Sequence, residues 1–447
     1  MNELTQKNPL PVAKQLPYQK NNLKNQLPNK DLPSNRQNDT EIFARSSFRT
    51  GIVFAGNGGA GDAMPEQEIK MSSHSHPHPH IRYAVVGIGK IAQEAVLPAF
   101  ENARENSVLA AFVSGHPAKA RKASKQTKAP KKEHPVPIYR YEEYDSLLDS
   151  GAIDAVYLSV PNHLHYEYAK KALERGIHVL CEKPFVLEEA QAQELVRLAR
   201  KTDTRLMVAY RLHFDPANLR AIEIAQSGKL GPLKYFNSSF SFRMEDQSNI
   251  RLQKKTGGGP IWDIGVYCIN AARNLFREEP TEVFAFTATH DTETFDQVPE
   301  SIAVSLRFPK GRIASFVCSF GTEAIDEFEL AGEAGKIRLQ DAYDYRGTRT
   351  LTTTINGKES REKFKQEDQF APELIYFSDC IMTRTDPEPS GLEGWADVKV
   401  IRAALQSAKE GKSVKLGRQS RTPHKMQKPK VKPPALHEVN ASHRSVH

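Results

Sequence analysis

At 447 residues, with 39% hydrophobic and 26% charged residues, the chain is long enough for two domains, and no apolar run nears the roughly 20 residues that span a bilayer. Its net charge of +8 sits at the ends: residues 1–80 hold nine Lys/Arg against seven Asp/Glu, residues 418–447 hold seven against one, and residues 81–417 are neutral. A neutral body argues against a cationic groove, so neither nucleic acid nor membrane is an expected partner.

Residues 1–80 are dominated by Pro, Asn, Gln and Gly without an apolar period, and read as a disordered or arm-like extension. The run "GIVFAG" within it is too short for a secretory core, so a cytoplasmic protein is expected. Met64 and Met71 are alternative starts, which N-terminal sequencing of native protein decides.

From residue 81 the pattern turns regular. Apolar strands "IRYAVVGIG", "VLAAFVSG", "IDAVYLSV", "IHVLCEKP" and "RLMVAYR" alternate with helix-like stretches such as "KIAQEAVLPAFENAR", "HLHYEYAKKALERG" and "LEEAQAQELVRLARKTD". This alternation predicts a doubly wound parallel sheet over residues 81–208, an α/β dinucleotide-binding (Rossmann) domain. Beyond Arg211 strands follow one another through Pro-Lys-Gly and Asn-Gly turns, which are hairpin signals. Residues 209–416 therefore read as an α+β domain with a large, mainly antiparallel, open-faced sheet, closed by helices at "APELIYFSDCIMTR" and "WADVKVIRAALQSAKEG". Residues 417–447 read as a basic disordered tail. Cys181, Cys268, Cys318 and Cys380 show no CxxC spacing and read as buried thiols, and no metal site is expected.

Chemistry gathers at strand ends. In "GIGKIA", Gly87, Gly89 and Ala92 form G-x-G-x-x-A at the first strand-to-helix turn, with Lys90 and Ile91 between them. The first glycine permits the turn, the second admits a pyrophosphate, and the small Ala lets helix and strand pack. After the second strand an NAD site usually carries Asp or Glu; this chain has Ser114 and Gly115, followed by Lys119 and Arg121. A hydroxyl and cations in place of a carboxylate favour NADP(H). "SVPNHLH" brings Pro161, Asn162 and His165 to the ligand-binding edge, "CEKP" brings Glu182 and Lys183, and "YR" brings Arg211. In the second domain "GGGPIWDIGVYCIN" carries Asp263, Tyr267 and Asn270 at i, i+4 and i+7, one face of a regular helix.

Together, "GIGKIA", "VPNHLH", "CEKP", "YR" and "GGGPIWDIGVYCIN" resemble the glucose-fructose oxidoreductase and inositol dehydrogenase family of NAD(P)-dependent sugar oxidoreductases over residues 81–416. The Ser-Gly after the second strand, the Lys five positions beyond that Ser, and Tyr in Asp-x-Gly-x-Tyr are similar to glucose-fructose oxidoreductase in particular. The resemblance implies that Lys183 lies beside the nicotinamide and that Tyr267 exchanges a proton with a sugar hydroxyl, while Asp263, Asn270 and Arg211 orient hydroxyls. An ammonium beside Tyr267 stabilises its phenolate, which agrees with that role. The expected activity is NADP-dependent oxidation of an aldose at C1 to a lactone, in a homodimer or homotetramer. Reduction of a keto sugar by NADPH and a non-catalytic NADP-binding sensor are the alternatives.

Overall fold

The computed structural model describes residues 80–126 and 135–417. The expected N-terminal extension and basic tail fall outside the described residues.

The first sheet is assembled from β1 (Ile81–Val86), β2 (Ser107–Val113), β3 (Ile138–Tyr139), β4 (Ala155–Leu158), β5 (His178–Glu182) and β6 (Leu206–Ala209). All are parallel, in the order β3-β2-β1-β4-β5-β6. The connecting helices are α1 (Leu97–Asn102), α2 (Pro117–Gln126), α3 (Tyr144–Asp149), α4 (His165–Glu174) and α5 (Glu189–Lys201). Every residue of β4 and β6 is buried, which is why these strands read as unbroken apolar runs. The order reverses where β1 meets β4, so the crevice at their carboxyl ends is the ligand position of such sheets. Gly87 leaves β1 there, and Pro161 and Asn162 follow β4.

After α6 (Pro216–Gln226) comes β7 (Leu233–Arg243), then α7 (Val266–Phe276) and the strands β8 (Glu282–Ala288), β9 (Ser301–Arg307), β10 (Ile313–Ser319), β11 (Gly321–Gly332), β12 (Gly335–Gln340), β13 (Arg349–Ile355) and β14 (Lys358–Phe364). With β15 (Val414–Lys415) they form a nine-stranded sheet, order β14-β13-β12-β11-β7-β10-β9-β8-β15. Only β7 and β10 run parallel. The Asn-Gly turn joins β13 to β14 with Asn356 and Gly357 both at positive φ, as a two-residue hairpin needs.

The last two helices, α8 (Phe370–Thr383) and α9 (Gly391–Glu410), depart from the sequence reading, which closed the second domain with both. Phe370, Leu374, Ile375 and Phe377 of α8 share a core with Ile81, Tyr83 and Phe112 of the first sheet. Helix α9 packs against α5 and β6 on one side and β8 on the other, so it ties the two sheets together. The apolar stripe of α8 would meet either sheet equally well by pattern; the side it covers is set by tertiary packing.

Candidate active site

Gly87 has φ +92°, and a Cβ there would lie 2.7 Å from the Ser159 carbonyl oxygen, so the β1 turn requires glycine. A Cβ on Gly89 would have nothing nearer than 3.9 Å, so its backbone faces open space wide enough for a phosphate to approach. Lys90 and Ile91 open a helix that passes through a π-helical turn, Ala92–Val96, before α1, with Ala92 fully buried against the sheet. These residues fit a dinucleotide pyrophosphate at a helix N-terminus. Ser114 is buried and its Oγ accepts from the His116 amide at 3.1 Å, while Gly115, Lys119 and Arg121 are exposed beside it.

Pro184 follows Lys183 through a cis peptide bond, and the Lys183 side chain turns across to the second domain. Its Nζ donates to the Asp263 carbonyl at 2.8 Å and to Asp263 Oδ1 at 3.1 Å, and stands 4.7 Å from the Tyr267 ring centroid. The other carboxylate oxygen of Asp263 accepts from Arg251 Nε at 2.7 Å. Arg211 Nη2 donates to Tyr267 Oη at 3.3 Å and to the Tyr343 carbonyl, while Nη1 donates to Gln369 Oε1 at 2.7 Å. Lys183 and Arg211 thus meet at one tyrosine, and Asp263 is the carboxylate that bonds both Lys183 and Arg251.

The electrostatics follow from that geometry. Burial opposes the charge on Asp263, but Arg251 and Lys183 outweigh it and hold the carboxyl well below its ordinary value. Burial also opposes the charge on Lys183, and Asp263, Tyr267 and Glu182 more than compensate, so its ammonium is firmly held. Glu182 accepts from Tyr157 Oη at 2.7 Å, and burial pushes its carboxyl up against the pull of Lys183.

Arg251 was not among the residues singled out from the sequence. It sits on an irregular loop that doubles back on the glycine run: the Gly259 amide donates to the Arg251 carbonyl at 2.8 Å, and a Cβ on Gly258 would lie 2.3 Å from that oxygen. The close approach explains the glycines and aims Arg251 at Asp263. Asn162 Nδ2 donates to the Gly257 carbonyl at 2.9 Å, binding this turn to the crevice of the first sheet.

Two of the expected residues are turned away from the crevice. His165 is 1% exposed, with Nδ1 on the Pro184 carbonyl and Nε2 on that of Val160, both at 2.9 Å, so both ring nitrogens are taken by backbone. It braces the Lys183–Pro184 turn. Asn270 donates to Glu393 Oε1 and Asp397 Oδ2 and faces His213 Nε2 at 3.1 Å, inside a buried network with Arg273. The face proposed from i, i+4, i+7 spacing is broken by a π-helical turn, Ile261–Gly265, which resets the angle before Tyr267. Among the described residues no group of His, Cys, Asp and Glu is placed to hold a metal ion, and no helix is long and apolar enough to cross a membrane.

A Rossmann sheet whose Lys183, at the end of β5, meets Asp263 and Tyr267 of a second, largely antiparallel domain defines a two-domain dinucleotide-dependent oxidoreductase. Residues 81–210 match the oxidoreductase family with NAD-binding Rossmann fold, and residues 218–338 match the GFO/IDH/MocA C-terminal domain. The chain belongs to the GFO/IDH/MocA oxidoreductase family. It is 32% identical to the aldose-aldose oxidoreductase of Caulobacter crescentus, solved with glycerol, over 75% of this chain and 100% of that one, with a TM-score of 0.70. It is 29% identical over 343 residues to the D-xylose 1-dehydrogenase [NADP(+)] of Haloarcula marismortui, covering 75% of this chain and 93% of the relative. A dTDP-3,4-didehydro-2,6-dideoxy-alpha-D-glucose 3-reductase of Actinomadura kijaniata is 27% identical over 330 residues, 73% of this chain and 94% of the relative.

Proposed function

We propose that this protein is an NADP-dependent sugar oxidoreductase that moves hydride between C1 of an aldose and nicotinamide, giving a lactone. The observation that carries the reading is the Lys183 ammonium over the Tyr267 ring, with Arg211 on the phenol oxygen. Lys183 and Arg211 hold the phenol in place, and its oxygen takes the sugar hydroxyl proton as hydride leaves the carbon. Gly87, Gly89, Lys90, Ile91 and Ala92 hold the cofactor pyrophosphate; Ser114, Gly115, Lys119 and Arg121 receive the 2′-phosphate; Pro161, Asn162 and Glu182 line the crevice. Asp263 and Arg211 orient hydroxyls, while His165 and Asn270 support the site from behind. NADP, when bound, supplies the hydride acceptor.

The relatives that oxidise or exchange aldoses support an aldose substrate. The reductase relative supports a second reading, reduction of a keto sugar by NADPH. Four buried free thiols suit a reducing compartment and hence a cytoplasmic enzyme. The open face of the nine-stranded sheet supports a homo-oligomer.

A sugar panel with NADP, NAD and NADPH tests the reading. Turnover of an aldose with NADP is expected, falling by about 10²–10⁴-fold in Lys183→Ala and Tyr267→Phe. Wild-type rates in both variants would overturn the site assignment, and no turnover with any sugar or keto sugar would favour a non-catalytic sensor.

A further inference from the structure

Both carboxylate oxygens of Glu373 are buried without a hydrogen-bond partner among the described residues, and the residue is 0% exposed. It stands in the first turn of α8, yet it does not cap that helix. Asp368 does so, accepting from the amides of Phe370 and Ala371 at 2.9 and 3.0 Å. The charges of Glu182, Arg211 and Asp368 act on Glu373, whose own charge acts on the Tyr157 phenol. Burial foremost, and then the Glu182 carboxylate, push the Glu373 carboxyl well above its ordinary value, with Arg211 opposing.

Those neighbours lead to the reacting groups. Glu182 accepts from Tyr157 Oη and from the Lys183 amide, and its charge is felt by Lys183 and by Tyr157. Arg211 donates to Tyr267 Oη. Gln369, which opens α8, accepts from Arg211 Nη1 at 2.7 Å, so the turn that carries Glu373 abuts the arginine bonded to Tyr267, and the carboxyl itself is committed to no hydrogen bond. An unpaired carboxylate in such a place is costly, whereas a neutral acid is tolerated.

We propose that Glu373 is a redox-linked proton reservoir, holding its proton in the cofactor-free protein and beside the uncharged reduced nicotinamide, and releasing it when the positively charged oxidised ring is bound. The proposal rests on the assignment of Lys183 and Tyr267 as the groups beside the transferred hydride, which brings the ring's charge into the same field. For aldose oxidation the balance closes inside the site. The C1 hydrogen leaves as hydride to NADP, the hydroxyl proton passes to Tyr267 and in net terms to the Glu373 carboxylate, and the products are lactone, NADPH and the neutral acid. Reduction of a carbonyl runs the same transfer backwards, with Glu373 restoring the proton that Tyr267 gives up.

Titration calorimetry of the full-length, cofactor-free protein in buffers of different ionisation enthalpy counts the protons exchanged on binding. Wild type is expected to release close to one more proton with NADP+ than with NADPH at neutral pH. The 2′-phosphate contributes alike to both and cancels in the difference. Glu373→Gln keeps the shape and cannot ionise, so the difference is expected to vanish. Equal counts in wild type, or a difference that survives in Glu373→Gln, would overturn the proposal. If the variant folds poorly, infrared difference spectra of wild type decide: the carbonyl band of a protonated carboxylic acid is expected to fall with NADP+ and not with NADPH, and a band indifferent to both overturns the proposal. No sugar is needed, so a wrong substrate class leaves the count intact, whereas a wild type that binds neither cofactor overturns the cofactor assignment and this proposal together.

Discussion

The Lys183 ammonium stands 4.7 Å from the centre of the Tyr267 ring, yet its hydrogen bonds go to Asp263, across the junction between the two domains. The lysine is thereby fixed over the phenol by a third residue, which is itself bonded to Arg251.

Asp263→Asn should therefore impair both chemistry and stability. It removes the carboxylate shared by two cations whose side chains are 13% and 35% exposed, and breaking a largely buried pair costs about 3 kcal/mol. The value of kcat is expected to fall at least about tenfold, as Lys183 loses its fixed place over Tyr267. Because the folded-state carboxyl lies below its unfolded value of about 3.9, the stabilisation is complete above that pH and is lost as pH falls through the folded value. Acid unfolding midpoints of wild type and variant, compared with their difference at neutral pH, check the sign: the gap should narrow in acid.

How much of this was legible beforehand depends on the distance between partners. The glycine turn, Lys183 and Tyr267 could be read because each lies at a strand end or in a short motif. His165 and Asn270 could not be placed, since their partners are the Val160 and Pro184 carbonyls in one case and Glu393 and Asp397 in the other, brought together only by folding. Arg251 lies on a loop with no period to mark it, and the π-helical turn before Tyr267 leaves no trace in residue spacing. Glu373 falls in an ordinary helical pattern, and its isolation becomes visible only once α8 is seen to cover the first sheet.

The two glycines of the first turn should separate folding from binding. Gly87→Ala forces a Cβ to within 2.7 Å of the Ser159 carbonyl at φ +92°, and is expected to cost at least about 2 kcal/mol. Gly89→Ala meets nothing nearer than 3.9 Å, so its melting temperature should match wild type while NADP affinity falls about tenfold or more. Thermal melts and fluorescence titration with NADPH, run on both variants, distinguish the two effects. Loss of stability in Gly89→Ala would contradict the open space seen at that turn.

A pH-dependent strain is built into the loop that supports Arg211. Asp326 accepts from the Tyr343 and Asp344 amides at 2.8 and 2.7 Å, and the Tyr343 carbonyl accepts from Arg211. Burial pushes the Asp326 carboxyl up to about 7, with the two amides opposing. An acid raised in the folded state binds more protons folded than unfolded between its two values, so wild type should lose stability as pH climbs from about 4 to about 7 and level off above. Asp326 keeps some solvent exposure, which reduces the swing to about 2 kcal/mol. Asp326→Asn is expected to flatten this part of a denaturation profile measured across that range. An unchanged slope would show that another group produces it.

The face of the nine-stranded sheet opposite its helices carries an apolar row that a monomer would leave in water. Phe286 on β8, Ala303 on β9 and Val317 on β10 are directly paired across the strands, and Tyr235 on β7 pairs with Ile313 on β10. Phe286 is 59% exposed, and Tyr235, Ile313 and Val317 nearly half exposed, although strand residues pointing the other way, such as Ala285, Ala314 and Phe316, are buried. An exposed patch of this kind, in register over several strands, is the type of surface that protein–protein contacts use, and the proposed homo-oligomer would pair it with the same patch on a second copy. Wild type is expected to run as a homo-oligomer in light scattering and Phe286→Lys with Val317→Lys as a monomer, while far-ultraviolet circular dichroism stays unchanged because neither side chain contributes to the core. A double variant with the mass of an oligomeric wild type would assign the contact to another surface, and a monomeric wild type would overturn the expectation.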